Sequence, residues 1–550
     1  MRLIMNISFK KSLVALATIA SLSVTLSPVV KAADVPSGVQ LAKEQVLKEG
    51  TRDYPVTADP AKATDAASNA VLLDVYNQLV NYDDKGNIIP GDAKSWDVSP
   101  DGKTVTFHLR PGLKWSDGSP LTAHDYEFAF KRWVDPKTGS DYAYYLSLSN
   151  VVNSKEVMDG KVSPDKLGVK ALDDTTLQIK LDKATPYFVN TLGIGFASPI
   201  SEKNYKKWGE DYFKPEHMVS NGAFKIDQWV INEKVVSVRN KNYWNNKKTV
   251  LDKVVYRGVP DYATQVNFYK SGELDTTYTV PIEQYSKIKK EMPNQLHTND
   301  ILKVFYYDFN TQKAPFDNVK VRKALSYTIN REALANSVIG MGSKPLYSLL
   351  PSNTAGHNQF KPAWSKEDPK ALAQKAVKLL NEAGYNKEHP LEFSVLVANT
   401  PEFKKAAQAI QSMWQSTLPV KVKLNVVEYK TWLAEKFQPT HQVVADDWYG
   451  DYNDPTTFFG LFTSTSTQNG SHFQSKEYDT LIDKAATASS DAERRKYFTE
   501  IDKLIDKKMF IAPQYSSSLP YLVKPYVKGW ANQNPLAYFY AKNVYITKHS

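Results

Sequence analysis

Four carboxylates stand among aromatic side chains in one short segment of this sequence. They belong to Asp446, Asp447, Asp451 and Asp454, and the aromatic residues between them are Trp448, Tyr449 and Tyr452. Carboxylates beside aromatic rings can hold an ammonium group through charge-assisted hydrogen bonds and cation–π contacts. Because aspartates in loops often cap turns instead, the segment needs support from its position in the fold. Extended structure is expected to end by Pro455, since proline has no N–H to continue a strand.

Helices and strands are predicted to alternate in the part of the chain that leads to this segment. Asp368 and Pro369 form an N-cap and first helical position, and Gly384 ends that helix. The elements predicted next are a strand at 391–397, a helix at 402–414, a strand at 420–427, a helix at 429–437 and a strand before Trp448. This alternation indicates an α/β domain with a largely parallel sheet. Ligands bind beyond the carboxyl ends of such strands, so Asn399 and the Trp448–Asp451 stretch are expected to face one cleft.

The first part of the chain is predicted to be richer in strands. Residues 104–109 alternate between polar and apolar side chains, and Thr122 with Asp125 forms a capping box that opens a helix. Further strands are predicted at 176–181, within 222–257 and at 304–310. A helix with Asp317 as its N-cap is predicted after the last of these.

The first 32 residues have the features of a secretory signal. Arg2, Lys10 and Lys11 precede an apolar run, and Ala32 ends a small-x-small cleavage site. The core of the run is shorter than the roughly 20 residues of a membrane span. Since the chain has no cysteine, a lipidated cysteine and a disulfide are both excluded. We therefore expect a protein secreted by cleavage after Ala32, not a lipoprotein, and most simply located in a bacterial periplasm.

Composition and missing motifs argue against several function classes. The formal charge of +10 falls by four when the signal is removed. The sequence contains no long basic run with interleaved aromatic residues, so nucleic-acid binding is not expected. The histidines form no i, i+4 pair, and neither a G-x-S-x-G elbow nor a phosphate-binding loop occurs. We therefore expect a binding protein with no metal and no cofactor, not an enzyme. A secreted hydrolase with an acid/base pair among the carboxylates of Asp446–Asp454 is the alternative.

Several sequence blocks resemble the signature of the peptide and nickel solute-binding proteins of bacterial ABC transporters. The blocks are Ala93–Trp96, Asp101–Gly102, Phe107–Arg110, Lys114–Pro120, Thr122–Asp125, Gly222–Phe224, Tyr243–Trp244, Ser271–Asp275, Val319–Leu325 and Gly450–Pro455. The resemblance covers essentially the whole mature chain. It is closest to the family members that bind oligopeptides or murein tripeptides in the periplasm.

The resemblance implies an α/β fold built as a two-lobed clamp with mixed sheets and three domains. Domain I would comprise 33–77, 202–302 and 517–550, domain II would be inserted at 78–201, and domain III, the large α/β lobe, would be 303–516. The implied function is capture of short peptides in a closing cleft and delivery to the permease subunits of an ABC importer, by a protein expected to be a monomer. A narrower ligand, such as a cell-wall peptide or a cationic solute, is the alternative within the same class.

The resemblance also implies site residues. Asp451 matches the carboxylate that pairs with the peptide α-ammonium, and Thr64, Asp65 and Ala66 match an extended segment that pairs with the peptide backbone. Lys404 and Lys436 match positions where a cation can meet the peptide carboxylate. The residues expected to line the cleft are Tyr142, Tyr278, Tyr306, Asn399, Tyr429, Trp448, Tyr449 and Tyr515.

The sequence departs from its relatives at positions that bear on the ligand. Ala445 and Ile339 stand where relatives carry cations, and Lys303 and Tyr449 stand where some relatives carry a cysteine pair. Asp446 and Asp447 add negative charge where relatives tend to be neutral. We expect these two carboxylates to favour ligands with basic side chains.

Overall fold

The computed structural model describes residues 35–356, 360–488, 490–530 and 533–549. The predicted signal segment lies outside the described residues. Within them, the strands in chain order are β1 (Val46–Thr51), β2 (Val80–Tyr82), β3 (Ile88–Pro90), β4 (Ala93–Val98), β5 (Thr104–Leu109), β6 (Val169–Asp173), β7 (Thr176–Lys180), β8 (Phe224–Val230), β9 (Lys234–Arg239), β10 (Lys253–Gly258), β11 (Leu296–Phe309), β12 (Lys344–Pro345), β13 (Leu391–Ala398), β14 (Val420–Val427), β15 (Val443–Tyr449), β16 (Ile511–Leu522), β17 (Val527–Lys528) and β18 (Tyr545–Ile546).

Helices are spread along the same ranges. In chain order they are α1 (Ala66–Val75), α2 (Ala123–Val134), α3 (Tyr144–Leu148), α4 (Ser154–Met158), α5 (Glu202–Trp208), α6 (Tyr262–Ser271), α7 (Tyr285–Glu291), α8 (Val319–Tyr327), α9 (Arg331–Ala333), α10 (Pro369–Glu382), α11 (Pro401–Thr417), α12 (Tyr429–Glu435), α13 (Thr456–Phe459), α14 (Lys476–Ala486) and α15 (Asp491–Lys508). A π-helical turn, Leu334–Ile339, follows α9.

Three larger sheets form the framework. One has the strand order β1-β10-β9-β8, a second has β4-β5-β7-β6, and the third has β12-β16-β11-β15-β13-β14. The two-stranded pairs β2-β3 and β17-β18 complete the sheets of the described chain. The first two sheets share one apolar core, whereas the six-stranded sheet has separate cores on its two faces.

The six-stranded sheet is mixed, so the prediction of a largely parallel sheet was wrong. Only β13 pairs in parallel, with β14 and with β15, and the pairings of β11 with β15 and β16 and of β12 with β16 are antiparallel. Helices α11 and α12 account for the parallel part, because they connect β13, β14 and β15 and a parallel pair needs a crossover connection. The strands β11 and β16 have no such crossover and arrive from outside the alternating region.

Strands β11 and β16 are long and connect the parts of the molecule. They pair antiparallel from Leu296 opposite Leu522 to Asp308 opposite Ile511, with register shifts between Asp300 and Val304 and again after Phe305. Both strands cross the predicted borders between domains I and III, which fall at 302/303 and 516/517. The division into three domains stays a prediction.

Local signals in the sequence positioned several elements correctly. Thr122 and Asp125 form the predicted capping box at the start of α2. Helix α10 begins with Asp368 as N-cap and Pro369 in its first turn, and Gly384 beyond its end has a positive φ of 93°. The N-cap of α8 is Asn318 rather than Asp317, because the Asn318 side chain accepts the N–H of Lys320.

Candidate ligand-binding site

A cavity of about 260 Å³ lies where several elements meet, and we call it the main cavity. Its walls come from the end of β1, the start of α1, the 276–278 segment, the 536–539 segment and the turn after β15. Most of the lining is aromatic or aliphatic. Its volume is near the lower end of the roughly 300–1,000 Å³ typical of small-molecule sites.

Half of the predicted site residues line the main cavity. They are Thr64, Asp65, Ala66, Tyr142, Tyr278, Tyr449 and Asp451. Trp448 lines a smaller cavity of about 90 Å³, and Asp451 lines that cavity as well. Asp451 is therefore shared by the two cavities.

Strand β15 and the turn after it position Asp451. The strand runs through Trp448 to Tyr449, so it extends into the acidic and aromatic segment before ending. The backbone N–H of Gly450 donates to the carbonyl of Leu302 at 2.6 Å, and that of Asp451 donates to Oγ1 of Thr457 at 3.0 Å. These contacts hold the turn against β11 and α13.

The carboxyl group of Asp451 has no hydrogen bond or ion pair with any residue that the structure describes. Desolvation raises its pKa from 3.8 to about 7. The phenol groups of Tyr142, Tyr144 and Tyr538 lie near this carboxylate. Burial raises the pKa of each phenol, and the charge of Asp451 raises it further. A carboxylate placed in this way among rings is suited to an incoming cation.

The other three aspartates of the segment are already paired. Asp446 accepts from Lys436 at 2.8 Å, Asp447 lies 3.1 Å from Nζ of Lys303, and Asp454 accepts from both terminal nitrogens of Arg494 at 2.6 and 2.8 Å. Asp446 is only 1% exposed. The expectation that Asp446 selects basic ligands was therefore wrong, because its charge is buried and neutralised by Lys436. Asp447 likewise faces a cation of the protein.

Six predicted site residues line neither cavity. They are Tyr306, Asn399, Lys404, Tyr429, Lys436 and Tyr515.

Packing and exposure explain their positions. Tyr306 and Tyr515 are buried core residues of β11 and β16, at 1% and 0% exposure. Asn399 is exposed beyond β13, and Lys404 is half-buried on α11. Tyr429 stacks on Trp432 at a ring-centroid distance of 5.5 Å.

Two predictions need correction in detail. Ala66 is the first residue of helix α1, so only Thr64 and Asp65 precede the helix, and the Asp65 side chain caps it by accepting the N–H of Ser68 at 2.7 Å. Lys436 is 5% exposed and its ammonium is bound to Asp446. It therefore does not face a ligand carboxylate in this structure.

Sequence reasoning missed two charged residues of the main cavity, Glu49 and Arg52. Both lie on or just after β1, in a stretch without a recognisable motif. The Arg52 guanidinium lies among the phenol groups of Tyr262, Tyr278 and Tyr449, and no described carboxylate is within ion-pair distance of it. A lone cation after a strand gave no signal in the sequence, because its importance comes from the elements packed around it.

Lys303 stands opposite Tyr449 in the pairing of β11 with β15. Its ammonium lies 3.1 Å from Asp447 and 3.8 Å from Glu402, and Glu402 also accepts from Ser517 at 3.2 Å. Although burial by itself would lower the pKa of Lys303, Asp447 and Glu402 raise it overall. Lys303 therefore belongs to a charged network with Asp447 and Glu402.

Comparison with known families assigns the fold. The sequence model described as "Bacterial extracellular solute-binding proteins, family 5 Middle" matches residues 87–470. This chain belongs to that family. The family 5 solute-binding protein described here is 39% identical over 541 residues to the periplasmic oligopeptide-binding protein OppA of Salmonella typhimurium, covering 98% of this chain and 99% of that relative.

Solved structures agree with this assignment. The murein tripeptide-binding protein MppA in its unliganded open form superimposes with a TM-score of 0.83 at 38% identity, over 94% of this chain and 99% of that chain. OppA of Haemophilus influenzae in complex with RPPGFSPFR gives 0.78 at 37% identity, over 92% and 100%. The predicted two-lobed α/β clamp fold with mixed sheets is confirmed.

Among the helices that the structure describes, none combines the length and the apolar character needed to cross a bilayer.

Proposed function

We propose that this solute-binding protein captures short peptides in the main cavity and delivers them to the permease subunits of an ABC importer. The observation that carries the proposal is the carboxyl group of Asp451, which lines the cavity without a partner among the described residues. A peptide α-ammonium that enters a closed cleft loses its hydration and needs a charged acceptor. Asp451 is proposed to supply it.

The neighbouring residues suit the rest of a peptide. Thr64 and Asp65 lie before α1 and can offer backbone groups to an extended chain. Tyr142, Tyr278 and Tyr449 give the cavity aromatic walls that accept varied side chains. Water can fill the space that a smaller side chain leaves, which supports broad selectivity.

Arg52 is the proposed partner of the peptide carboxylate. It is the only cation that lines the main cavity among the described residues, and it has no carboxylate of its own. A guanidinium can bind a carboxylate through two parallel hydrogen bonds. This assignment replaces Lys436, whose ammonium is occupied by Asp446, and Lys404, which lines neither cavity.

The test combines a mutation with a change in the ligand. Asp451→Asn keeps the shape of the side chain but removes its charge, so the affinity for trialanine should fall by about a hundredfold or more. Acetylating the peptide N-terminus should weaken binding to the wild type by a similar factor and to the mutant much less, because both changes break the same contact. Isothermal titration calorimetry measures all four affinities.

A matched control is Asp84→Asn, which changes an exposed aspartate away from the cavity. It should bind both peptides as the wild type does. If Asp451→Asn also retained wild-type affinity for the free and the acetylated peptide, Asp451 would not be the ammonium site.

A narrower ligand is the second candidate, and the similarity to MppA, a murein tripeptide-binding protein, favours it. Mass spectrometry of protein purified under native conditions and then denatured distinguishes the two. A mixture of co-released peptides supports general peptide capture, and one defined species supports a narrow receptor. Release of no peptide together with measurable turnover would favour a hydrolase. The structure argues against a hydrolase, because cations of the protein pair with Asp446, Asp447 and Asp454 and make these carboxylates unsuited to acid/base chemistry.

The protein is proposed to act as a periplasmic monomer that is secreted by cleavage after Ala32 and carries no lipid. The relatives named above are periplasmic proteins, and the absence of cysteine leaves no site for a lipid anchor. Intact-mass analysis of periplasmic protein should give a chain that begins at Ala33. A membrane-bound species that retains residues 1–32 would contradict this.

A further inference from the structure

Glu49 places a second unpartnered carboxyl group in the wall of the main cavity. Its backbone is fixed on both sides, because β1 pairs with β10 and Glu49 also forms a bridge with Thr276. The adjacent Gly50 N–H donates to the Thr276 carbonyl at 3.0 Å. No described residue donates a hydrogen bond to the Glu49 carboxyl group or forms an ion pair with it.

The hydroxyl group of Thr276 is also without a partner. Thr276 is 0% exposed, lines the main cavity, and its Oγ1 has no hydrogen bond within the described structure. Buried hydroxyl groups are normally hydrogen-bonded. Glu49 and Thr276, which are joined by a β-bridge and both line the main cavity, thus each keep a side-chain oxygen without a described partner.

The charges that line the main cavity are unbalanced. Three carboxyl groups and one guanidinium line it, and neither lysine nor histidine is among its described lining residues. The carboxyl group of Asp65 is engaged in capping α1. If Asp451 takes the α-ammonium of a peptide and Arg52 takes its α-carboxylate, Glu49 remains without a counter-charge.

We infer that Glu49 and Thr276 form a second cation subsite, and that this receptor prefers short peptides that carry a basic side chain. The inference rests on the proposed function, since it assumes that the α-ammonium binds at Asp451. It assigns the choice of ligand charge to β1 and the 276–278 segment rather than to Asp446 and Asp447, which are neutralised by protein cations.

Binding at this subsite is coupled to ionisation of Glu49. The pKa of Glu49 is raised to about 8, mainly by desolvation and to a smaller extent by the nearby charge of Asp74 on α1. Tyr256 on β10 donates to Asp74 at 2.6 Å, and Lys542 lies close enough to Asp74 to lower its pKa against the larger effect of burial. In the free protein at pH 7 Glu49 is therefore mostly neutral, and a cation that binds beside it displaces the proton.

The experiment compares lysine with its uncharged analogue norleucine at each position of trialanine. The two side chains have similar length, so a difference in affinity reports the ammonium group. At pH 7 the wild type should bind the lysine peptide at least about tenfold more tightly at one position. Glu49→Gln should bring the lysine-to-norleucine ratio close to one while leaving the affinity for the norleucine peptide within about twofold.

Two further variants and one further measurement sharpen the test. Glu44→Gln changes an exposed acid shortly before β1 and should keep the lysine preference. Thr276→Val keeps the side-chain shape and should reduce the preference without abolishing it. Calorimetry at pH 7 in buffers of different ionisation enthalpy should show more proton release with the lysine peptide than with the norleucine peptide, and this difference should vanish in Glu49→Gln.

The possible failures are distinguishable. Equal affinity of the wild type for lysine and norleucine peptides at all three positions would overturn the subsite while leaving peptide capture intact. A lysine preference that survives in Glu49→Gln would also overturn it. If none of the peptides, including trialanine, bound the wild type, the proposed function itself would fail.

Because Gln resembles the neutral carboxyl group of the free protein, Glu49→Gln should melt at the wild-type temperature at pH 6.

Discussion

Nζ of Lys436 lies 2.8 Å from Oδ1 of Asp446, and the two side chains are 6% and 0% exposed. Asp308 on β11 lies beside this pair, and burial together with the charge of Asp446 raises its pKa well above the usual value. Burial also raises the pKa of Asp446, although Lys436 opposes the shift. Lys436, which follows the last residue of α12, is thus the counter-ion of Asp446 on β15, and Asp308 on β11 lies next to the pair.

Removing Lys436 should destabilise the protein strongly. Lys436→Met keeps much of the apolar side chain but leaves the buried Asp446 without its cation, which typically costs about 3 to 5 kcal/mol. Urea denaturation at pH 7 measures the change. Lys404→Met, at a half-buried position with no ion pair among the described residues, is the control and should stay within about 0.5 kcal/mol of the wild type. A Lys436→Met protein of wild-type stability would show that the buried pair makes no net contribution.

Peptide affinity should depend on pH in a way that reports Asp451. The pKa of its carboxyl group in the free cleft is about 7, so below that pH a proton must leave before the α-ammonium can pair with it. The affinity for trialanine should therefore rise by up to about tenfold per pH unit between pH 5 and pH 7. Above about pH 8 it should fall, because a peptide α-amino group has a pKa of about 7.7–8.0.

The pH series has its own control. Calorimetric titrations of Asp451→Asn should lack the rise between pH 5 and pH 7, since no carboxyl group remains to be deprotonated. A mutant with the same acid limb as the wild type would assign that limb to another group, and Glu49 would be the next to test.

The stability of the ligand-free protein should respond to Asp451 in the opposite sense. Its pKa is raised from 3.8 to about 7 by folding, so the folded state holds a proton that the unfolded state has released between those values. The free energy of unfolding contributed by this group therefore falls as the pH rises from about 4 to 7. Asp451→Asn should be neutral near pH 4 and stabilising at pH 8, by on the order of 1 kcal/mol or more.

Thermal melts at the two pH values check this, with Asp84→Asn as the matched exposed control. A mutant that is less stable than the wild type at pH 8 would mean that Asp451 has a structural partner, and the site assignment would have to be revised. Taken with the binding experiment, the result would show a carboxylate that weakens the free protein and strengthens its complex.

Local elements were predictable from sequence because their signals are local. Residues within a few positions of one another determine three of these elements, which are the capping box of Thr122 and Asp125, the Asp368-Pro369 start of α10 and the strand β14. The sheet was harder, since β11 and β16 pair across some 200 residues without a crossover that marks their direction.

The candidate site divides in the same way. Asp451 stood out because aromatic residues flank it, but the sequence could not separate it from Asp446, Asp447 and Asp454. What separates them is the set of cations that folding brings to the other three, and those cations come from the residue after α12, from β11 and from α15. Glu49 was missed for the converse reason, because its only signal is that no described residue pairs with it.

Ligand binding should close the two lobes around the β11–β16 pair. Both strands cross the predicted domain borders, and their register shifts near Asp300 and Phe305, where regular pairing is interrupted. A peptide that contacts residues of the predicted domains I and III at once, such as Thr64 and Asp451, favours the closed arrangement because it binds that state more tightly. Small-angle scattering should therefore show a smaller radius of gyration when trialanine is added at saturation.

At a hundred times the dissociation constant the native state should also gain about 2.7 kcal/mol, seen as a higher melting temperature. Asp451→Asn at the same peptide concentration should show little of either change. Calorimetrically verified binding to the wild type that moved neither quantity would contradict the clamp mechanism.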